Sequence, residues 1–221
     1  MQRFKGVIFD LDGTLLDTIQ DIANAMNTVL QRYNFPTHDL DSYRFFIGSG
    51  IAKLVERSLP SEVSESAKYS KLVEEVFQEY ALHLNKFTAP YSGVVDLLDG
   101  LTQLDVPFAI LSNKADEFMD EVVSNYFSKW NFAVVLGARY GLPRKPDPYS
   151  VLEIAEIMAL QPSEIVYLGD TDIDMQTAVN SGTYAVGAAW GFRSAEELRA
   201  NGAHVVIQHP CELLEFFQDL G

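Results

Sequence analysis

Six short apolar runs separated by segments of helical period do more than any other feature to restrict what this chain can fold into. The runs cover residues 6–9, 108–111, 133–136, 165–168, 185–188 and 205–207, and none shows the polar alternation of a strand with one wet face. Such strands need cover on both sides, the condition of a parallel sheet between helices. Helical candidates at 94–104, 117–127, 149–158, 175–181, 196–201 and 212–218 are placed to cross over from one strand to the next. The expected fold class is therefore α/β, and ligands should gather at the carboxyl ends of the strands. Asp10, Ser112 and Asp170 each follow a strand candidate directly.

One stretch interrupts this alternation. Between residues 18 and 87 there is helical spacing and no convincing strand: Ile19, Ile22, Ala23, Met26, Leu30 and Tyr33 recur at helical steps, as do Leu72, Val76, Phe77 and Tyr80. The expected organisation is an α/β core from 1–16 and 88–221 with a helical cap from 17–87. The insertion begins just after an acidic turn, where a covering element would have to be hinged.

That turn is Val7-Ile8-Phe9-Asp10-Leu11-Asp12-Gly13-Thr14. Strand side chains alternate, so Asp10 and Asp12 project the same way if the extended geometry persists, and Gly13 permits a sharp change of direction. Crowded carboxylates repel unless a cation or a proton neutralises them. A second acidic segment, Gly169-Asp170-Thr171-Asp172-Ile173-Asp174, adds more carboxylates after another strand. Magnesium accepts hard oxygen ligands and keeps waters and phosphate, so few carboxylates suffice for it. Asp172 and Asp174 also suit an acidic helix start. Ser112, Asn113 and Lys114 offer a hydroxyl, an amide and an ammonium at a strand end, though the same residues serve as ordinary caps. Lys145 sits in the loop Arg144-Lys145-Pro146-Asp147-Pro148, ahead of a helix whose first turn tolerates proline.

The formal net charge of −15 argues against nucleic acid or an anionic membrane surface as partner, so an anionic ligand needs local cations. Cys211 is the only cysteine, which excludes an internal disulfide and suits a reducing cytoplasm, the expected compartment. No stretch is apolar and long enough to suggest a membrane span.

Taken in order, Asp10 through Thr14 (DxDGT), Ser112, Lys145 and Gly169-Asp170 with Asp174 resemble the four motifs of the haloacid dehalogenase superfamily, in its phosphatase branch. The resemblance implies a parallel Rossmann-like sheet flanked by helices with an inserted helical cap. It implies that Asp10 is a nucleophile forming an aspartyl-phosphate, and that Asp12 protonates the leaving oxygen and later activates water. It further implies that Ser112 and Lys145 hold phosphoryl oxygens and that Mg2+ binds Asp10, Asp12 (through its carbonyl), Asp170 and Asp174. The acid at position 12 separates this pattern from the dehalogenase and phosphonate-cleaving branches.

In the insertion, Arg44-Phe45-Phe46-Ile47-Gly48-Ser49-Gly50 is similar to the cap of phosphoglycolate phosphatases, and so are Tyr91-Ser92-Gly93-Val94 and Trp190-Gly191-Phe192 elsewhere. Substrate-binding candidates are Thr14, Arg44, Gly48, Ser49, Gly50, Asn113 and Lys114. Gly48 and Gly50 fit either an anion-binding helix start or a plain glycine turn. The expected partner is a small phosphorylated metabolite, foremost 2-phosphoglycolate, acted on by a monomer or homodimer. Alternatives are a phosphosugar mutase of the beta-phosphoglucomutase type, a pyrophosphatase, or a non-catalytic binding protein on the same scaffold. The four histidines, at 38, 83, 204 and 209, lack ligand spacing and read as surface or packing residues.

Overall fold

The computed structural model describes residues 4–64 and 68–218. Six strands form one parallel sheet: β1 (Gly6–Phe9), β4 (Phe108–Ala115), β5 (Val135–Ala138), β6 (Ile165–Gly169), β7 (Tyr184–Ala188) and β8 (Val205–Ile207), in the order β5-β4-β1-β6-β7-β8. This is the α/β class expected from the apolar runs. β1 is wholly buried and pairs with β4 on one side and β6 on the other, Phe9 lying opposite Ile110 and Leu168. The chain runs outward from β1 through β4 to β5 and then returns to the other side of β1 at β6. That reversal opens a crevice at the carboxyl ends of the central strands.

Alternate residues of β1 feed two separate cores, as the period of two requires. Val7 and Phe9 join a cluster with Leu97, Leu101, Ile110 and Leu168, whereas Ile8 packs with Leu111, Ile154, Tyr167 and Met175. Crossover helices α6 (Val94–Gln103), α7 (Met119–Phe127), α8 (Tyr149–Ile157), α9 (Asp172–Ser181) and α10 (Ala195–Ala200) cover the sheet. The final expected helix is instead a 3-10 segment, Pro210–Phe217, which His209 caps by accepting the Cys211 amide. β4 also runs further than expected, carrying Ser112, Asn113 and Lys114 inside the strand. Its register against β5 shifts between Leu111 and Ala115, an irregularity that the apolar pattern does not contain.

Residues 19–83 carry α1 (Ile19–Arg32), α2 (Leu40–Phe46), α3 (Ile51–Ser58), α4 (Ser61–Ser64) and α5 (Tyr69–His83), with no strand among the described residues from 19 to 83. Their apolar faces make a third cluster around Ile22, Met26, Tyr43, Leu54, Leu72 and Val76, which Phe118 and Phe192 join from the sheet side. At the two ends of this helical layer a short antiparallel pair, β2 (Leu16–Asp17) and β3 (Ala89–Pro90), ties the entering and leaving chain together. Asp21 of α1 reinforces that junction. Fully buried, its carboxylate accepts the Phe87 and Thr88 amides at 3.0 to 3.1 Å and the Thr88 hydroxyl at 2.7 Å. No helix among the described residues is long and apolar enough to cross a membrane.

Candidate active site

Asp10 is the first residue beyond β1, held there by its amide, which donates to the Leu168 carbonyl of β6 at 2.9 Å. Its Oδ1 accepts the Leu11 amide at 2.7 Å and faces Lys145 Nζ at 2.8 Å. Oδ2 has no hydrogen-bond donor among the described residues and is the oxygen left available for chemistry. Lys145 arrives from the loop before α8 and also donates to Asp174 Oδ1 at 2.7 Å and to the Leu111 carbonyl at 3.1 Å. One ammonium thus compensates two carboxylates. Burial works to lower the pKa of Lys145, yet the charges of Asp10 and Asp174 prevail and hold it well above the usual lysine value.

Asp170 follows β6 and is completely buried. Thr14 donates its hydroxyl to Asp170 Oδ1 and Phe192 its amide to Oδ2, both at 2.8 Å. Gly13 and Gly191 make room for this side chain. A Cβ on Gly13, whose φ is +91°, would come within 2.3 Å of Asp170 Oδ2; one on Gly191 would lie 2.3 Å from Asp170 Cβ and 2.5 Å from the Gly13 carbonyl. Asp174 belongs to α9, which starts earlier than its apolar spacing indicates because Thr171 caps it. Its Oδ2 accepts the Thr171 amide and hydroxyl, and its Oδ1 accepts from Tyr167 as well as Lys145.

One carboxylate oxygen from each of Asp10, Asp170 and Asp174 lies within 4.8 Å of the other two. Burial, followed by the charge of Asp174, raises the Asp10 pKa well above the ordinary carboxylate value. The same two causes push Asp170 up to about 7 against its donors. Three buried acids around one lysine leave negative charge in excess, and a hard divalent cation suits that all-oxygen set. Asp174 carries four donors on its two oxygens and Asp170 one on each, so Asp10 and Asp170 have the freer lone pairs for a cation, with Asp174 orienting Lys145.

The Asp12 carboxylate is not part of this cluster. It meets Lys114 Nζ at 2.9 and 3.3 Å, and that ammonium also donates to the Tyr80 hydroxyl of α5 at 2.5 Å. Burial opposes the charge on Lys114, but Asp12 and Tyr80 outweigh it and raise the pKa; burial pushes Tyr80 up to about 12. Asp10, Asp12, Ser112, Asn113 and Lys114 border a cavity whose opposite wall comes from the helical layer: Ile22, Ile47, Gly48, Gly50, Ile51, Leu54, Val76 and Tyr80.

The remaining expected residues divide. Ser112 lies on the cavity, its Oγ accepting the Lys114 amide at 3.1 Å. Asn113 borders the same space, but its side chain is taken up by backbone, donating to the Gly48 and Lys145 carbonyls and accepting the Lys145 amide. It braces the Lys145 loop against the helical layer, a role invisible in the local sequence. Gly48 and Gly50 do reach the cavity, Gly50 with φ +83°, a conformation that favours glycine, and with a Cβ position 2.9 Å from Arg144 Nη1 and 3.0 Å from the Asn113 carbonyl. Ser49 and Arg44 are not among the lining residues. Ser49 Oγ accepts from Arg57, and Arg44 pairs with Asp41 and donates to the Gly191 carbonyl. Sequence reasoning gives no site role to Phe192, Tyr167, Thr171 or Tyr80; the segment Trp190-Gly191-Phe192 enters it only as a resemblance, and a tyrosine within the apolar run 165–168 is a further signal, since a buried hydroxyl needs a partner.

A family model described as haloacid dehalogenase-like hydrolase matches residues 7–188. A phosphoglycolate phosphatase of Chromobacterium violaceum is 28% identical over 99% of both chains. One from Pseudomonas savastanoi pv. phaseolicola is 30% identical over 95% of this chain and 78% of its own length. Among solved structures, a Lactobacillus delbrueckii subsp. bulgaricus protein provisionally described as a phosphoglycolate phosphatase superposes with a TM-score of 0.90 at 29% identity, covering 98% of this chain and 99% of that one.

Proposed function

Since the chain belongs to the haloacid dehalogenase-like hydrolase family and is a phosphatase within it, we propose that it hydrolyses 2-phosphoglycolate through an aspartyl-phosphate on Asp10, with Mg2+ as its metal. The observation that carries this reading is the division of labour between two acids two positions apart. Asp10 faces the buried cluster of Lys145, Asp170 and Asp174, and Asp12 faces Lys114 on the cavity side.

Asp10 Oδ2 is the nucleophile. It attacks phosphorus, the ester P–O bond breaks, and Asp12 delivers a proton to the departing oxygen of glycolate. Asp12 then takes a proton from water, which attacks the acyl-phosphate and frees Asp10 and inorganic phosphate. Lys145 and Ser112 hold the phosphoryl oxygens, and Lys145 also lowers the repulsion between Asp10 and the incoming anion. Bound at Asp10 and Asp170, the metal would neutralise charge on the phosphoryl oxygens.

The far wall of the cavity, from Ile22 to Val76, is mostly apolar. The product is a small organic acid released, in this reading, into the cytoplasm, the compartment that the single Cys211 suits. Phosphate release from 2-phosphoglycolate, pyrophosphate and hexose phosphates, with and without magnesium, tests the assignment. Asp10→Asn should release none, and turnover retained by that variant would refute the nucleophile.

A further inference from the structure

Residues Trp190, Gly191, Phe192 and Arg193 follow β7 and touch both the acid cluster and the helical layer. Toward the cluster, Phe192 donates its amide to Asp170 and Trp190 Nε1 donates to the Thr14 carbonyl at 2.9 Å. Toward the helices, the Arg193 guanidinium donates to the Arg44 carbonyl, to the Ile47 carbonyl at 3.3 Å and to the Phe45 carbonyl at 3.5 Å. These lie at the carboxyl end of α2, where a helix leaves its last carbonyls without partners of its own. Arg44 returns the contact through Nη1 to the Gly191 carbonyl at 3.0 Å.

On the sheet side, Arg193 Nε lies 3.1 Å from Glu197 and 3.7 Å from Asp172. The Arg193 side chain is only 6% exposed, so this is an interior fastening. Its planar set of five donors meets carbonyls on one side and carboxylates on the other, which a lysine cannot do. The segment it grips leads straight into residues 47–50, of which Ile47, Gly48 and Gly50 border the cavity.

We propose that Arg193 is a positioning residue that seats the 47–50 wall over the acid cluster and so sets how tightly the leaving group is held. The kinetic part of this proposal rests on the phosphatase reading; the structural part does not. The experiment compares wild type, Arg193→Ala and Arg193→Lys by steady-state phosphate release from 2-phosphoglycolate and by amide hydrogen exchange. Arg193→Ala should raise KM about tenfold with kcat within about threefold, the pattern of lost ground-state binding. Amides at 44–47 should exchange faster while those of β1 and β6 keep their protection. Arg193→Lys, able to serve some of these carbonyls, should fall between.

Unchanged KM and exchange, acceleration spread equally over the sheet, or a lysine variant no better than alanine would each overturn the proposal. If wild type releases no phosphate from any ester, the phosphatase reading falls and exchange at 44–47 decides alone. Faster exchange there in Arg193→Ala supports seating, and unaltered exchange refutes it.

Discussion

The Lys145 ammonium lies 2.8 Å from Asp10 Oδ1, with the two side chains only 3% and 6% exposed. At this depth the pair is not interchangeable with a surface ion pair, because neither charge has water to fall back on.

Replacing Lys145 by methionine keeps the stem and removes the charge that Asp10 and Asp174 share. Breaking a buried pair from one side costs about 3–5 kcal/mol, so urea unfolding of metal-free Lys145→Met should show a loss of that order. Phosphate release should fall at least about a hundredfold, because the developing charge loses a fixed donor. A variant with wild-type turnover would remove Lys145 from the mechanism.

Stability of the metal-free protein should decline as pH rises. Asp170 titrates at about 7 in the folded chain, above the usual carboxylate value, and Asp10 is shifted in the same direction. Between the unfolded and folded values the folded state holds more protons, so raising pH favours unfolding. Below the unfolded value both states are protonated and the effect vanishes; above about 7 the Asp170 share of the penalty is complete. Melting temperatures of chelated protein should therefore fall from pH 5 to pH 8. Added magnesium should raise the melting temperature more at pH 8 than at pH 5, since it binds the deprotonated acids. A flat profile without metal would contradict the crowded-acid picture.

Gly191→Ala places a methyl 2.3 Å from Asp170 Cβ and 2.5 Å from the Gly13 carbonyl, and the backbone contact cannot swing away. Overpacking of this kind costs about 1–3 kcal/mol. More telling is the expected loss of magnesium-dependent stabilisation, measured as the shift in melting temperature with added metal. A full shift in Gly191→Ala would show that Asp170 does not need this clearance.

Lys114 and Tyr80 can be separated. Tyr80→Phe removes one hydroxyl partner and leaves the Lys114 to Asp12 pair in place, a change worth about 1 kcal/mol of stability with little effect on kcat. Lys114→Met removes the only cation touching the Asp12 carboxylate among the described residues, and kcat should drop about tenfold or more. Equal effects of the two substitutions would assign the cation to holding α5 rather than to serving Asp12.

Much of this molecule is legible from its residues in order. The buried strands announce themselves because a strand covered on both faces cannot carry polar alternation, and Asp10 and Asp170 could be placed at strand ends from adjacency alone, whereas Ser112, expected at an end, lies inside β4. The helical layer showed itself through spacing at Ile19 to Tyr33 and Leu72 to Tyr80. The strand pair Leu16–Asp17 and Ala89–Pro90 did not, because each strand is two residues long and is defined only by a partner across the whole insertion.

Local order also could not say where polar side chains turn. Asn113 braces backbone at Gly48 and Lys145, Lys114 joins Asp12 to Tyr80, and Arg193 grips the end of α2. Each of these contacts joins elements distant in sequence, and its partner is chosen by how the helical layer sits on the sheet. The strands, the order of chemistry along the chain and the acids Asp10 and Asp170 at strand ends can be read from residue order, since they follow from short-range periodicity. Which donors meet those acids and which residues wall the cavity depends on packing, since buried polar groups take the partners that the folded chain brings within reach.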